Sequence, residues 1–345
     1  MKYIVSCFQC KKEFIDQWWL CPECGGSLEV EYSQVVSEPQ FPIGKILENT
    51  LGEGNTPLVR LTKFSQQLGC ELWAKCESQN PTGSFKDRGS VIEIAKALEL
   101  EKKGVVCAST GNMAASLSAY AARFNLECKV VIPALTPESK LQQATACGAT
   151  LVKVDGTYDE CVGVAQTIAE EENFFLCGDY LLRREGQKTI GWELAKNNFD
   201  SFVVPVGNGN VGIAIAQAFM EARCLRQPKF IGVQAETVNP VEKAWRTSQP
   251  ILPLKNTKTI ASAFNVGNPL DGQLTLDWVK KNNGKLIVVS DAEILAAQEL
   301  LAKQEGLYIE STAATSLAGL LKIQETLKNQ KIVLILTGSG LKERG

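Results

Sequence analysis

Residues Asn80 to Gly89 read NPTGSFKDRG and place one lysine, Lys86, between a turn and a helix. The proline and the first glycine favour the turn, and Ser84 can cap the helix that the apolar residues within Ser90 to Leu100 predict. We therefore expect Lys86 to lie in the first helical turn. A helix N-terminus carries partial positive charge, which favours loss of a proton from a lysine amine there.

Lys86 is the candidate catalytic residue of the chain. An amine that loses its proton readily can form a Schiff base with an aldehyde cofactor such as pyridoxal phosphate. The alternative is a solvated lysine that pairs with Asp87 or Glu93. This segment alone does not decide between the two interpretations.

Length and composition indicate a globular protein of two or three domains. The chain has 345 residues, of which 45% are apolar, and 36 basic residues nearly balance 38 acidic ones. No excess of positive charge predicts a nucleic-acid partner, and no apolar run approaches the roughly 18 residues that a membrane span needs. The first ten residues, MKYIVSCFQC, lack the features of a signal peptide. We expect a cytoplasmic protein without a nucleic-acid or membrane partner.

The sequence contains no histidine, which excludes triads with a histidine base and imidazole metal ligands from this chain. Proton transfers must therefore fall to lysine, acidic, tyrosine or cysteine side chains. Eight of the twelve cysteines are scattered singly through apolar segments, where a reduced cysteine behaves as a small hydrophobic residue. These are Cys70, Cys76, Cys107, Cys128, Cys147, Cys161, Cys177 and Cys224.

The other four cysteines form two CxxC pairs, Cys7 with Cys10 and Cys21 with Cys24. Four thiolates in two such knuckles can bind one zinc ion tetrahedrally, and a segment of about 30 residues has too small a core to fold without such a link. We predict a structural, zinc-ribbon-like site. Because all four ligands are thiolates, the site would be closed and not catalytic. A redox-active CxxC pair is the alternative.

From Gly104 onward, short apolar segments alternate with helical ones, which predicts a parallel sheet with helices on both faces. A second set of such units follows, so we expect an α/β fold of two lobes with a cleft between them. The predicted strands span residues 72–77, 105–108, 128–132, 150–154, 202–206, 230–234, 286–289 and 331–336. The predicted helices span residues 90–100, 113–124, 137–147, 157–171, 189–196, 292–305 and 312–327, with a further helix after residue 212 to about 224.

The loop at residues 207–212, GNGNVG, leaves an apolar strand and opens a helix, so its backbone N–H groups can converge on an anion. Its spacing matches neither the P-loop nor the dinucleotide GxGxxG pattern. Alone it could be a plain strand-to-helix turn. Beside an aldehyde-binding lysine, it would hold the phosphate of the cofactor.

Two further loops follow strand ends. Residues 109–112, STGN, offer a site for a substrate carboxylate, and Asn112 could donate a hydrogen bond to the ring oxygen of the cofactor. Thr337 follows the last apolar strand and could hydrogen-bond the ring nitrogen, where a neutral hydroxyl would leave the pyridine unprotonated. The alternatives are a capped turn at 109–112 and a simple strand-ending turn at Thr337.

Eight strings of the sequence occur in a characteristic order. They are EGNTPLVRL (53–61), NPTGSFKDRG (80–89), ASTGN (108–112), EGQKT (185–189), GNGNVG (207–212), GVQAE (232–236), GNP (267–269) and TGSGLK (337–342). Together they resemble the threonine synthase family, pyridoxal-phosphate enzymes of the tryptophan-synthase-β fold type. The resemblance runs from the N-terminal cysteines to the last residues, and SFKDRG is its most specific part.

The resemblance implies pyridoxal-phosphate fold type II, with Lys86 as the Schiff-base lysine, Asn112 at the ring oxygen and Thr337 at the ring nitrogen. It implies that the cofactor phosphate is held by Gly207, Asn208, Gly209, Asn210 and Val211. It implies conversion of O-phosphohomoserine and water to threonine and phosphate, with Lys86 shuttling protons. The residues expected to bind this amino-acid phosphate substrate are Ser84, Ser109, Thr110, Gly111, Asn112, Arg183 and Lys188.

The expected bound groups are therefore pyridoxal 5'-phosphate and a structural zinc ion. The predicted domains are a zinc-ribbon-like segment at 1–31, a large α/β cofactor-binding domain at 40–90 and 186–345, and a smaller α/β domain at 91–185. A homodimer is compatible with the sequence, which does not decide the oligomeric state.

Three positions depart from the family pattern. Met113 replaces a usual threonine, Asn265 stands where an arginine is common, and CGDYLLRR (177–184) replaces an NSxNPxRL string. The first and third lie near the expected place of the substrate phosphate, so they bear on the substrate and not on the cofactor. The alternatives are β-replacement on O-phosphoserine, as in cysteate synthases, and deamination of threonine or serine. A non-catalytic descendant would be expected to lose Lys86 or the glycine-rich loop, and both are retained.

Overall fold

The computed structural model describes residues 3–33, 37–255 and 257–343, and the strands in these ranges form three sheets. In chain order, the strands are β1 Tyr3–Cys7, β2 Glu13–Phe14, β3 Leu28–Tyr32, β4 Leu58–Arg60, β5 Glu71–Cys76, β6 Gly104–Ala108, β7 Glu127–Pro133, β8 Thr150–Val154, β9 Phe174–Leu176, β10 Ser201–Pro205, β11 Lys229–Ala235, β12 Lys285–Val289 and β13 Lys331–Leu336. The α-helices are α1 Thr62–Leu68, α2 Asp87–Glu99, α3 Asn112–Arg123, α4 Gln142–Ala146, α5 Tyr158–Glu171, α6 Leu181–Leu194, α7 Asn210–Glu221, α8 Pro240–Thr247, α9 Gly272–Lys281, α10 Asp291–Leu300 and α11 Ser311–Leu321. Within the described ranges, no helix has both the length and the apolar character to cross a bilayer.

The large sheet contains six strands in the order β12, β11, β10, β13, β5 and β4. The first five run parallel, and the edge strand β4 pairs antiparallel with β5. Successive residues of β13 enter different cores: Ile332 and Leu334 belong to one apolar cluster, and Val333 and Ile335 to another. Because both faces of the sheet are buried, the strand reads as a continuous apolar run.

The small sheet contains four parallel strands in the order β8, β7, β6 and β9. In strand β6, as in β13, successive residues pack into two different apolar clusters. Val105 and Cys107 belong to one cluster, and Val106 and Ala108 belong to another. Helices cover the two faces of each sheet, as the alternation of strands and helices predicts. The predicted α/β fold with two lobes is therefore confirmed.

The N-terminal sheet is antiparallel, in the order β2, β1 and β3, and it contacts both lobes. On the side of the small sheet, the Trp19 indole Nε1 donates to the carbonyl oxygen of Leu176 at 2.8 Å. On the side of the large sheet, the Ser27 hydroxyl donates to the carboxylate of Asp271, next to α9. The segment that carries this sheet, residues 3–33, is thus packed against the body of the protein.

The predicted strands are confirmed to within about two residues, but several helices differ. Helix α6 begins at Leu181 and not at residue 189, and the helix expected at 137–147 is reduced to α4. The first turns of α6 bury Arg183, Arg184 and Glu185, so charged residues face the interior where periodicity would require apolar ones. The pattern of apolar residues therefore does not reveal the start of this helix.

The two C-terminal helices agree with the prediction to different extents. The segment predicted to be helical at 292–305 is helical throughout, as α10 to Leu300 followed by one π-helical turn, Leu301–Glu305. Helix α11 ends at Leu321, earlier than the predicted residue 327. Helices α8 and α9 were not predicted, because each spans at most ten residues and lies between turn-forming segments. These differences lie outside the strand ends that build the site.

Replacing Gly186 with Ala is expected to destabilise the crossing of α2 and α6. An added Cβ would lie 2.0 Å from the carbonyl oxygen of Arg88, so one helix must shift. Overpacking of this kind costs about 1 to 3 kcal/mol, and the midpoint of urea unfolding should fall.

Gly163→Ala is the matched control. Gly163 lies in α5 with no atom within 4 Å of an added Cβ, so alanine should raise the stability of the helix by up to about 1 kcal/mol. Equal unfolding midpoints for the two variants would contradict the close helix crossing.

Candidate active site

Loops at the carboxyl ends of the adjacent strands β5, β13 and β10 meet at one edge of the large sheet. The backbone N–H of Phe85 donates to the carbonyl oxygen of Thr337 at 3.0 Å, and Ser84 pairs with Gly338 in an antiparallel bridge. These contacts place the turn that carries Lys86 directly against the loop after β13.

Lys86 occupies the N-cap position of α2, one residue before the helix begins at Asp87. Its backbone is helical, with φ −61° and ψ −24°, so Lys86 lies at the start of the first turn, within one residue of the expected position. Ser84 does not cap α2, and its buried hydroxyl has no partner among the described residues. The carboxylate of Asp87 instead accepts from the backbone N–H of Thr82 at 2.7 Å and so stabilises the turn before Lys86.

The amine of Lys86 pairs with an acidic residue from the other lobe, Asp179. Its nitrogen lies 2.5 Å from one carboxylate oxygen of Asp179, and the second oxygen accepts from the side-chain amide of Asn208 at 2.9 Å. In the described part of the chain, neither Asp87 nor Glu93 forms an ion pair with this amine, so that alternative is wrong. The side chains of Lys86 and Asp179 keep 15% and 19% of their surface exposed, which leaves the pair open to the cleft.

Asp179 is ionised in this arrangement. Burial by itself would raise the pKa of its carboxyl, but the positive charges of Lys86 and Arg183 outweigh burial and lower that pKa to about 2. The ion pair with Lys86 therefore persists at neutral pH. Asp179 was not among the predicted site residues, although it lies in the segment 177–184, whose departure from the family pattern was the available signal.

Arg183 fixes the backbone on both sides of this ion pair. Its fully buried guanidinium group donates to the carbonyl oxygens of Gly178 at 3.1 Å and Lys86 at 3.2 Å, and it pairs with Glu93. Glu93 also accepts from the backbone N–H of Gly178 at 3.0 Å, and burial raises the pKa of Glu93, which the positive charge of Arg183 opposes. The structure thus places Arg183 beneath the site, where it is not free to bind a substrate phosphate as expected.

Lys188 also forms ion pairs with other residues of the protein. Its buried ammonium group pairs with Glu185 and Glu221, both at 2.6 Å, and lies 4.8 Å from the ring centroid of Tyr32 at the end of β3. These contacts join α6 and α7 to the N-terminal sheet. The structure does not bring Lys188 to the Lys86 turn, so the expectation that it contacts the substrate finds no support.

The glycine-rich loop after β10 presents unpaired donors. Across the described ranges, the backbone N–H groups of residues 207–211 have no hydrogen-bond acceptor, and both side-chain amide atoms of the buried Asn210 are unpaired. Gly209 has a φ of 102°, and a Cβ there would lie 2.0 Å from the hydroxyl oxygen of Thr275, so only glycine fits. Because this loop opens α7, its free N–H groups and the helix N-terminus together favour an anion.

Asn112 and Thr337 meet on one buried carboxylate, that of Glu310. The side-chain amide of Asn112 donates to one oxygen at 2.8 Å, and the hydroxyl of Thr337 donates to the other at 3.1 Å. Burial raises the pKa of this carboxyl. Glu310 was not predicted from the sequence, because a single acidic residue before a helix of small residues is not a distinctive pattern. The two expected ring partners therefore lie close enough to contact one small group.

The loop at residues 109–111 precedes α3, which begins at Asn112. The hydroxyl of Ser109 accepts from the backbone N–H of Gly111 at 3.3 Å, and no atom lies within 4 Å of a Cβ added at Gly111. Gly111 therefore borders open space. Met113 is buried in the apolar core behind the loop, so it packs and does not face the cleft.

The sulfur atoms of Cys7, Cys10, Cys21 and Cys24 come together in the N-terminal sheet. All four lie within 4.8 Å of one another, with 3.5 Å between Cys7 and Cys24 and 3.6 Å between Cys10 and Cys21. Four thiolates around zinc at about 2.3 Å would lie about 3.8 Å apart, so the cluster has the size of a tetrahedral site. The other eight cysteines form no disulfide, and six of them are buried.

Comparisons with known proteins agree with this geometry. The family described as "Pyridoxal-phosphate dependent enzyme" matches residues 49–338, which is most of the chain. A threonine synthase of Methanocaldococcus jannaschii is 37% identical over 98% of this chain and 92% of that protein. A threonine synthase of Bacillus sp. (strain ULM1) is 39% identical over 85% of both chains.

Solved structures share the fold. Maize serine racemase superposes with a TM-score of 0.75 and 25% sequence identity, covering 83% of this chain and 88% of that chain. The serine racemase of Dictyostelium discoideum superposes with a TM-score of 0.72 and 28% identity, covering 83% of this chain and 92% of that chain. The chain therefore belongs to the pyridoxal-phosphate-dependent enzymes and, among them, to the threonine synthase family.

Proposed function

We propose that this protein converts O-phosphohomoserine and water to threonine and phosphate, with pyridoxal phosphate bound at Lys86. The observation that carries the proposal is the likeness to threonine synthases over nearly the whole chain. It is supported by the position of the Lys86 turn, the glycine-rich loop and Thr337 at adjacent strand ends.

The residues of the cleft fit this cofactor. The free backbone N–H groups of residues 207–211 and the unpaired amide of Asn210 suit a phosphate group. The Thr337 hydroxyl suits an unprotonated ring nitrogen, and the Asn112 amide suits a ring oxygen, once each leaves Glu310. Pyridoxal phosphate, when bound, supplies an aldehyde that links to amines and a ring that stabilises negative charge on carbon.

Lys86 is the proposed general acid and base. Because the chain has no histidine, the amine of Lys86 is the basic group placed to take the proton from Cα of the substrate and to move protons at Cβ. Phosphate leaves from Cγ, and the oxygen of one water molecule adds at Cβ, which balances the reaction. The loop at 109–112 would hold the substrate carboxylate at the N-terminus of α3.

The four clustered cysteines are proposed to bind one structural zinc ion. The spacing of their sulfur atoms supports a tetrahedral site, and four thiolate ligands leave no open position for chemistry. A zinc ion would also compensate for the small apolar core of the N-terminal sheet.

Location, assembly and domain boundaries are proposals of the same kind. Free cysteines support a reducing compartment, and hence the cytoplasm. A homodimer is proposed because twofold dimers are the commonest soluble oligomers. The proposed domains are residues 1–31, residues 40–90 with 186–345, and residues 91–185; the strands of the small sheet fall in the last range.

A product assay tests the proposed reaction. The purified, cofactor-loaded protein receives O-phosphohomoserine, O-phosphoserine or threonine in separate reactions. We expect equimolar threonine and phosphate from the first substrate, because the chain retains the residues expected around Lys86. Faster release of phosphate from O-phosphoserine would favour β-replacement, and release of a 2-oxo acid from threonine would favour deamination.

Replacing Lys86 with Ala should abolish threonine formation and the covalent trapping of cofactor by borohydride, because the reacting amine is gone. The product assay and peptide mass spectrometry measure these two losses. Lys303→Ala is the control, since Lys303 is an exposed lysine paired with Glu299, and it should retain both properties. Substantial threonine formation by the Lys86 variant would refute the assigned role.

The double variant Cys21→Ser and Cys24→Ser should lose bound zinc and loosen the N-terminal sheet, while pyridoxal phosphate stays bound to the large sheet. Elemental analysis measures the metal, and absorbance measures the cofactor. The control is Cys147→Ser with Cys224→Ser, two partly exposed cysteines outside the cluster, which should keep the metal. Unchanged zinc content in the first variant would rule out the cluster as the metal site.

A further inference from the structure

Asp179 has no role in the proposed reaction, yet its carboxylate lies 2.5 Å from the amine of Lys86. Asp179 stands between β9 and α6, at the carboxyl end of a strand of the small sheet. Lys86 stands after β5, at the carboxyl end of a strand of the large sheet. The ion pair therefore spans the cleft between the lobes.

The carboxylate of Asp179 is held from two sides. Asn208, in the loop after β10, donates to its second oxygen at 2.9 Å. The preceding residue, Gly178, is held at its N–H by Glu93 and at its carbonyl by Arg183. The same arginine also fixes the other side of the cleft, because it donates to the carbonyl oxygen of Lys86 at 3.2 Å. Amine and carboxylate are thus placed by one shared network, as precise positioning requires.

Six other titratable or charged groups near Asp179 are each either neutral or paired with another residue. They are Glu93, Tyr158, Cys177, Tyr180, Arg183 and Asp271. Burial raises the pKa of both tyrosines and of the thiol above their ordinary values, so these three are neutral near pH 7. Arg183 is paired with Glu93, and Asp271 is paired with Arg184. Asp179 is left as the counter-charge of Lys86.

We propose that Asp179 is the positioning residue of Lys86, which holds its amine in the cofactor-free protein and stays beside the same nitrogen after it has bonded to the aldehyde. The inference rests on the proposed function, because it takes Lys86 as the reacting lysine. The amine and the aldehyde condense with loss of one water, and the linked nitrogen takes up one proton. A carboxylate beside this nitrogen stabilises its protonated form, which a substrate amine attacks more readily.

The unusual segment at 177–184 acquires a role in this way. Its glycine, Gly178, presents both backbone groups to the Arg183 and Glu93 pair, and Asp179 then points to Lys86. A chain with neutral residues here would leave the amine without this counter-charge.

The first test uses the cofactor-free protein and the variant Asp179→Asn, which keeps the size of the side chain and removes its charge. An amine-selective acetylating reagent followed by peptide mass spectrometry should modify Lys86 about tenfold faster in the variant, because the carboxylate no longer holds the amine. Lys75 is the internal control, since it is buried and paired with Glu193. Its rate should not change. Equal rates at Lys86 in the variant and the wild type would overturn the proposal.

The second measurement follows the visible absorption band of the bound cofactor against pH. In Asp179→Asn, the midpoint at which the linked nitrogen loses its proton should fall by about one to three pH units, because an anion no longer stabilises the cation. Asp179→Glu keeps the charge and should keep the midpoint near that of the wild type. If Asp179 had only a structural role, the midpoint would not follow the charge of this side chain. Asp200→Asn is the remote control. Asp200 lies just before β10, at the opposite end of this strand from the cleft, and it pairs with Arg226. An unshifted midpoint in Asp179→Asn would overturn the proposal.

Failure of the proposed function would give results that differ from failure of the proposal about Asp179. If the wild type binds pyridoxal phosphate and forms no threonine, the substrate assignment fails, while the band and the labelling rates still decide the role of Asp179. If the wild type forms no absorption band, the cofactor assignment fails, and the labelling rates alone decide whether Asp179 holds Lys86.

Discussion

The geometry of the site depends on the buried ion pair between Arg183 on α6 and Glu93 on α2. Both side chains are removed from solvent, so neither charge can be left alone, and breaking such a pair costs about 3 to 5 kcal/mol. The remaining donors of Arg183 reach the carbonyl oxygens of Gly178 and Lys86. The distance across the cleft is therefore set by a buried contact beneath the Lys86–Asp179 pair.

A second buried arginine extends this arrangement along the same helix crossing. Arg88 pairs with Glu77 at the end of β5 and with Glu193 on α6, and it donates to the hydroxyl of Thr189 at 2.8 Å. Apolar surfaces can slide past one another with little change in energy, whereas hydrogen bonds are directional. The matched charges between α2 and α6 thus determine register, and Gly186 permits the close approach that they need.

The strands and the glycine-rich loop could be predicted because periodicity and glycine spacing act locally along the chain. The same reasoning failed where charges are buried: the start of α6 was missed, and Arg183 and Lys188 were assigned to the substrate because they are cations. Their partners, among them Glu93 and Glu221, lie far away in sequence, so no spacing pattern connects them. Asp179 was missed for the same reason, since its partners come from distant strand ends.

The N-terminal sheet contributes to the order of the cleft. Ser27 bonds to Asp271, and the backbone N–H of Asp271 donates to the carbonyl oxygen of Asn208 at 3.2 Å. Arg184 links the same carboxylate to the carbonyl oxygen of Leu28. Proteolysis that removed the first thirty residues would hydrate this arginine and its partner and would release one support of the glycine-rich loop at residues 207–212. Cleavage near the N-terminus would therefore disorder a loop of the cleft, although the cut itself lies outside the cleft.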